Sequence, residues 1–305
     1  MTSGSGKDQA SGLRTKTNPN GVSAIGGQVV ALGAQKPPAS RVVAITGGKG
    51  GVGKSSIAVN LACTYAQRGA RTIAFDADLG MADLNLLLGI APEDSLADVL
   101  AGKPIEEVLH EAHGIHLLPG LNGSYRLANL GETERHALLA AIDSLDDRFD
   151  TLVVDTGAGI NASNVDFAGA AGQIVVVATP EPLSLADAYA CLKALAARCG
   201  VTRAFVLPNQ VRSPSEADEV FGRLAALTDR FLDIELTALP AIPHDPTLRQ
   251  ASAAGVPLVL HNPDAPASRA FKQVARRIDA LARPDERSGG VKLFTRRMAA
   301  QGAQP

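Results

Sequence analysis

Gly47-Gly48-Lys49-Gly50-Gly51-Val52-Gly53-Lys54-Ser55-Ser56 is the stretch whose reading decides the fold. Counted from Gly48 it fits G-x-x-x-x-G-K-S/T, with the apolar run Val42-Val43-Ala44-Ile45 ahead of it and the helical spacing of Ile57, Leu61 and Tyr65 behind it. The expected order is strand, phosphate loop, helix. Consecutive backbone N–H groups wrap a triphosphate only where side chains leave room, which accounts for Gly48, Gly50, Gly51 and Gly53, with Val52 set among them. The helix that starts near Lys54 turns its positive end to the same anion. Lys54 is expected on the β- and γ-phosphates, the Ser55 hydroxyl on Mg²⁺, and Ser56 toward the α-phosphate.

Lys49 is a second lysine in a loop whose own site needs one. The pattern K-G-G-V-G-K-S resembles the deviant Walker A loop of the MinD/ParA family, in the SIMIBI class of P-loop NTPases. The resemblance implies that Lys49 crosses a dimer interface to the partner's nucleotide, so that the chain is an ATP-dependent homodimer. It implies a catalytic trio of Lys49, Lys54 and Asp78.

From Arg41 onward strand and helix patterns alternate, which predicts an α/β fold: a mostly parallel sheet with helices on both faces. At 305 residues, 46% hydrophobic and 20% charged, the chain is long enough for a full core. Residues 1–38 read as a flexible tail, 39–284 as the ATPase domain and 285–305 as a second tail. No run approaches the roughly 18 apolar residues that span a bilayer, and the N-terminus lacks an apolar signal core, so a cytoplasmic location is expected. Cys63, Cys191 and Cys199 form no C-x-x-C pair. The net charge of −2 hides a division. Lys7, Arg14, Lys16 and Lys36 stand against Asp8 alone in the first tail, and Arg287, Lys292, Arg296 and Arg297 face no acid in the last, which leaves an acidic body.

Within the first tail, Asp8 is placed to cap a short helix that would align Ala10, Leu13 and Arg14. Asp8-Gln9-Ala10-Ser11-Gly12-Leu13-Arg14 resembles the D-Q-A-x-x-L-R activator element of the FlhG/FleN family of flagellar MinD-like ATPases. There it docks on the GTPase FlhF and stimulates GTP hydrolysis, so Asp8, Gln9, Ala10, Leu13 and Arg14 are the expected partner contacts.

After the loop and its helix, Thr72-Ile73-Ala74-Phe75 leads into Asp76-Ala77-Asp78, two carboxylates two residues apart at the end of a strand and so pointing the same way. The stretch resembles the family's switch I, which gives Asp78 the water-orienting role and puts Asp76 behind Mg²⁺; Asp83-Leu84-Asn85 carries the family's Asn and Asp in exchanged places. Thr151-Leu152-Val153-Val154-Asp155 reads as a Walker B strand ending on a second carboxylate for the Mg²⁺ hydration shell. Thr156-Gly157-Ala158-Gly159-Ile160 then resembles switch II, with Gly157 where Ala or Pro is common. His110, His113 and His116 recur every third residue, but Gly114 breaks the helix that would align them on a metal. The adenine is expected near Asn209, whose amide both donates and accepts, and beside Arg212, Pro243 and Asp245; a guanine-reading N-K-x-D is missing after Asn209. Pro208 replaces the family's usual aliphatic residue.

Past Pro284, Val291, Phe294 and Met298 share one helical face, with Lys292, Arg296 and Arg297 largely away from it, a pattern suited to an anionic membrane surface. The combined expectation is a Mg²⁺- and ATP-dependent switch that governs flagellar number and placement. By resemblance its partners are an FlhF-type GTPase, C-ring switch proteins and a flagellar transcription activator, with reversible attachment to the inner membrane face. The alternatives are a DNA-segregation ATPase of the ParA type, for which Arg269, Lys272, Arg276 and Arg277 supply a basic helix, and a MinD-like division-site regulator. The acidic body argues against DNA.

Overall fold

The strands read as continuous apolar runs because both of their faces are covered. In a computed structural model that describes Met1 and residues 41–78, 82–120, 132–281 and 290–302, β1 (Arg41–Thr46) lies between two parallel neighbours, β5 (Thr151–Thr156) and β6 (Gln173–Ala178). Beyond β5 come β2 (Thr72–Ala77), β4 (Ile115–Leu118) and β3 (His110–Ala112); beyond β6 come β7 (Arg203–Val211) and β8 (Glu235–Ala238). Only β3 runs antiparallel among the described strands, and the short β9 (Ile242–Pro243) pairs with the end of β7. The expected sheet is therefore the observed one.

Side-chain alternation sorts the core into two layers. Val42, Ala44, Leu152, Val154, Ile174 and Val176 fall in one cluster, whereas Val43, Ile45, Val153, Val175 and Val177 fall in the other. The second layer is covered by α1 (Lys54–Gln67), α2 (Leu84–Leu87), α9 (Thr247–Ala253), α10 (Leu258–His261) and α11 (Pro266–Leu281). The first is covered by α3 (Leu96–Leu100), α4 (Ile105–Val108), α5 (Glu132–Asp143), α6 (Ala162–Ala170), α7 (Pro182–Cys199), α8 (Pro214–Phe231) and α12 (Gly290–Gly302). Ser95 starts α3 through a capping box with Asp98, as its sequence allows. Pro208 stays in register opposite Ala178, so the departure at that position does not end β7 early.

The stretch expected as an outward-facing amphipathic segment does form a helix, α12, but its apolar face is turned inward. Phe294 and Met298 are buried, with the Phe294 ring stacked on Phe167 of α6 at 6.5 Å. Thr295 donates to Asp143 Oδ1 of α5 at 2.9 Å, and Arg297 donates to the Ala171 carbonyl after α6 at 3.1 Å. The apolar surface of α5 and α6 holds these side chains in this conformation. Val291 lies in the first turn of α12, outside the residues whose side chains are described. The tail motif at residues 8–14 and switch I residues 79–81 also lie outside the described residues. Among the described residues no helix is long and apolar enough to cross a membrane.

Candidate nucleotide site

The phosphate loop leaves β1 at the C-terminal end of the sheet, where the chain turns to opposite sides of the central strand and a crevice opens. Gly53 precedes α1 with φ 95°, a left-handed backbone that favours glycine, and a Cβ there would also run into the Asn209 amide. Gly48 packs on the backbone of α7 at Asp187, and Gly50 lies beside Ala158 of switch II, so the loop is held between α7 and switch II. Gly51 has φ 77°, and its carbonyl accepts from Gln210 Nε2 at 3.4 Å. Val52 is buried, Ser55 and Ser56 half-buried.

Lys54 is buried and crosses its own loop to donate to the Lys49 carbonyl at 3.3 Å. Burial pulls the Lys54 ammonium below its ordinary pKa, against the opposing pull of Asp155 and Asp78. Asp76 and Asp155 stand side by side on β2 and β5. One Asp76 oxygen accepts the Asp78 N–H at 3.2 Å and the other accepts the Leu84 N–H at 3.0 Å, and burial nevertheless pushes its pKa up to about 7. The chain on either side of residues 79–81 is thus fastened to Asp76 through the Asp78 and Leu84 main chain, while Asp83 precedes α2 and Asn85 Nδ2 turns to the Ile90 carbonyl at 3.4 Å. Asp155 accepts from the Ser55 hydroxyl, yet its Oδ1 is buried with no partner and burial drives its pKa upward. Asp155 and Asp78 act on the Lys54 ammonium and Asp76 acts on Asp155, so three carboxyls, one with an orphaned oxygen, crowd a site where burial opposes the ionisation of Asp76 and Asp155. That donor set fits a hard divalent cation such as Mg²⁺, which Ser55, Asp76 and Asp155 would hold.

Lys49 sits at the rim, where its ammonium pairs with Glu181 Oε2 at 2.5 Å. Glu181 stands immediately before α7, 132 residues along the chain from Lys49. The exposed side chains of Ile160 and Leu183 flank the same rim.

On the adenine side, Arg212 and Pro243 line a cavity of about 540 Å³ between α8 and α11, together with Pro208, Val211, Arg269 and Gln273. The other two expected residues act as supports. Asn209 is buried and donates to the Val52 carbonyl at 2.7 Å, so one half of its amide is already spent on the phosphate loop. Asp245 accepts the Thr247 N–H at 3.0 Å and the Ala267 N–H at 3.2 Å, which secures the starts of α9 and α11. The three histidines part company: His113 Nε2 lies at the Leu88 and Gly255 carbonyls, 3.1 and 3.2 Å away, and His116 meets the Phe149 ring edge-on. On the basic helix α11, Arg269 and Lys272 bond to the carbonyls of Asp264 and Pro263, leaving Arg276 and Arg277 exposed.

A family model described as ParA, NUBPL iron-transfer P-loop NTPase, matches residues 39–279. The chain belongs to the MinD/ParA family of deviant Walker A P-loop ATPases. It is 39% identical to the antiactivator FleN of Pseudomonas aeruginosa over 85% of this chain and 93% of FleN. It is 33% identical to the flagellum site-determining protein YlxH of Helicobacter pylori, over 69% and 72% of the two chains, and so falls in the FleN/FlhG branch. Among solved structures, the septum site-determining protein MinD of Pyrococcus horikoshii, complexed with Mg-ADP, superposes with a TM-score of 0.65 at 26% identity, over 81% of this chain and 98% of that one. In this MinD/ParA ATPase the cysteines are packing residues: Cys63 is buried in α1 with its thiol pushed up to about 12, Cys191 is buried against Thr46, and Cys199 faces the Val165 carbonyl.

Proposed function

We propose that this chain is a switch ATPase that dimerises on Mg²⁺-ATP and regulates flagellar number and placement. The observation that carries the reading is the surplus of buried carboxylate around Lys54, with Lys49 at the rim of the same site. Mg²⁺ held by Ser55, Asp76 and Asp155 would supply positive charge against the phosphate oxygens. The backbone N–H groups of residues 50–55 and the start of α1 bind the phosphates, and Lys54 offsets charge on the γ-phosphoryl as it transfers. Asp78 orients the attacking water. The water oxygen bonds to the γ-phosphorus, the bond to the β-bridging oxygen breaks, and the water's proton leaves with inorganic phosphate or solvent. The cavity between α8 and α11 is of a size to take the base, with Arg212 and Pro243 on its wall.

Dimerisation supplies Lys49 to the other copy's γ-phosphate, which requires it to leave Glu181; Ile160 and Leu183 offer apolar contact on that face. Asp78→Ala with Mg²⁺-ATP should elute as a dimer in size-exclusion chromatography with light scattering, and a monomer there would sink the dimer reading.

The flagellar role rests on the likeness to FleN and YlxH, and the partners follow from it: an FlhF-type GTPase engaged through Asp8, Gln9, Ala10, Leu13 and Arg14, C-ring switch proteins, and a flagellar transcription activator. A peptide of residues 1–20 should accelerate GTP turnover by such a GTPase, and Gln9→Ala or Leu13→Ala should remove the effect. We place the protein in the cytoplasm, with reversible attachment to the membrane through α12. Attachment costs the burial of Phe294 and Met298, about 1.5–3 kcal/mol each. Co-flotation with anionic vesicles should therefore depend on ATP, and flotation indifferent to nucleotide would refute the α12 route.

A further inference from the structure

At Gly157 of switch II the space a side chain would occupy is already taken. A Cβ built there would lie 2.9 Å from Oδ1 and 3.0 Å from Nδ2 of Asn164, and 3.0 Å from Cγ of Asp78. The carboxyl of switch I and an amide of α6 thus both close on one bare α-carbon. Such approaches are tighter than ordinary carbon contacts, so a methyl group would have to displace one of the two.

Asn164 is held on both sides. It is 5% exposed, its main-chain N–H donates to Asn161 Oδ1 at 2.9 Å in the cap of α6, and its Nδ2 donates to the Ala158 carbonyl at 2.8 Å. One side chain therefore fastens the switch II turn to the start of α6 while packing on the glycine that borders Asp78.

We propose that Asn164 is a positioning residue for Asp78: with Gly157 it forms a seat that sets the carboxylate against switch II at the angle needed to orient the attacking water. The seat rests on the ATPase reading above, in which Asp78 has the water-orienting role. The cap of α6 is made by the Asn161 side chain, so the Asn164 amide is not needed there and is free to pack on Gly157 beside Asp78. Misplacement of a water-orienting group by a fraction of an ångström lowers the rate without weakening nucleotide binding.

The test uses the full chain and compares Gly157→Ala, Asn164→Ala and the double variant. The readouts are kcat and KM for ATP, affinity for a fluorescent ADP analogue, and hydrogen exchange of residues 157–160 in the nucleotide-free protein. Either single variant should lower kcat about 10- to 100-fold with ADP affinity within about twofold of wild type. Asn164→Ala should also speed exchange in switch II without nucleotide. In the double variant the losses should be less than multiplicative, because trimming Asn164 gives the new methyl group room and spares Asp78. Near wild-type kcat in both singles, while Asp78→Ala abolishes turnover, would overturn the seat and leave the ATPase reading standing; so would losses that multiply, or an equal loss of ADP affinity. A wild-type protein without ATPase activity would instead remove the reading on which the seat rests. Should Gly157→Ala not fold, the kcat and exchange results for Asn164→Ala still decide.

Discussion

At the N-terminal end of the sheet Asp279 takes Arg41 on one oxygen and Arg68 on the other, and both guanidiniums lie over the Tyr65 ring, 5.0 and 5.8 Å from its centre. Asp150 beside them accepts from the Arg71 main chain and guanidinium, both at 2.8 Å. At the C-terminal end of the same strands Asp78 and Asp155 act on Lys54, Asp76 acts on Asp155, and Asp155 Oδ1 is left buried without a partner. At one end each oxygen of both carboxylates has a partner, which serves stability. The other buries Asp76 and Asp155 where ionising them costs stability, unless a ligand supplies positive charge. The difference teaches where binding energy is stored: in the groups a folded chain would be more stable without.

The largest effect that comparison predicts is at Lys54. Lys54→Ala removes the buried cation of the ligand end and should lower ATP turnover about 10²- to 10³-fold, measured by phosphate release. Turnover within tenfold of wild type would break the assignment of that end to catalysis. Asp279→Ala should act in the opposite sense, stranding two guanidiniums and costing about 2 kcal/mol in urea unfolding, with nucleotide affinity within about twofold of wild type. If nucleotide affinity falls with stability, the two ends are not independent.

Much of this contrast was legible beforehand, and for a local reason. A phosphate loop, a strand-ending Asp76 and a strand-ending Asp155 are each set by neighbours within a few residues, so motif and periodicity locate them. What escaped is what long-range packing decides. Glu181 meets Lys49 across 132 positions of sequence, and Asn164 and Asp78 both close on the space that Gly157 leaves bare. The face of α12 was readable as apolar, but whether it meets lipid or Phe167 depends on a surface more than a hundred residues away. Asn209 was read as an adenine contact from its chemistry alone, and no local signal announces that Val52 claims its N–H.

Asp155→Asn puts the stability side of the comparison to a direct test. The asparagine imitates the neutral form that burial favours, so at pH 7.5 the nucleotide-free protein should gain about 1–2 kcal/mol in urea unfolding even as Mg²⁺-dependent turnover is lost. A variant less stable than wild type would mean that Lys54 and Ser55 already satisfy Asp155.

The smallest effect is the pH dependence that follows from the same burial. In the unfolded chain an aspartate releases its proton near pH 3.9, whereas folding pushes Asp76 up to about 7 and Asp155 upward as well. Between those values the folded protein binds more protons than the unfolded one, so stability falls as pH rises and levels off once the folded groups have ionised. For Asp76 alone the fall from pH 6 to 8 is about 1 kcal/mol, on the order of 2–4 °C in Tm. Asp150 at the other end has its pKa lowered by Arg71, so its contribution is lost only as pH drops below the ordinary carboxylate range and leaves this window untouched. Scanning calorimetry of the nucleotide-free protein should show the decline, Asp76→Asn should flatten it, and Asp279→Ala should shift the whole curve down without changing its slope. A slope that survives Asp76→Asn and Asp155→Asn together would place its origin outside the ligand end, and the opposition between the two ends would lose its electrostatic basis.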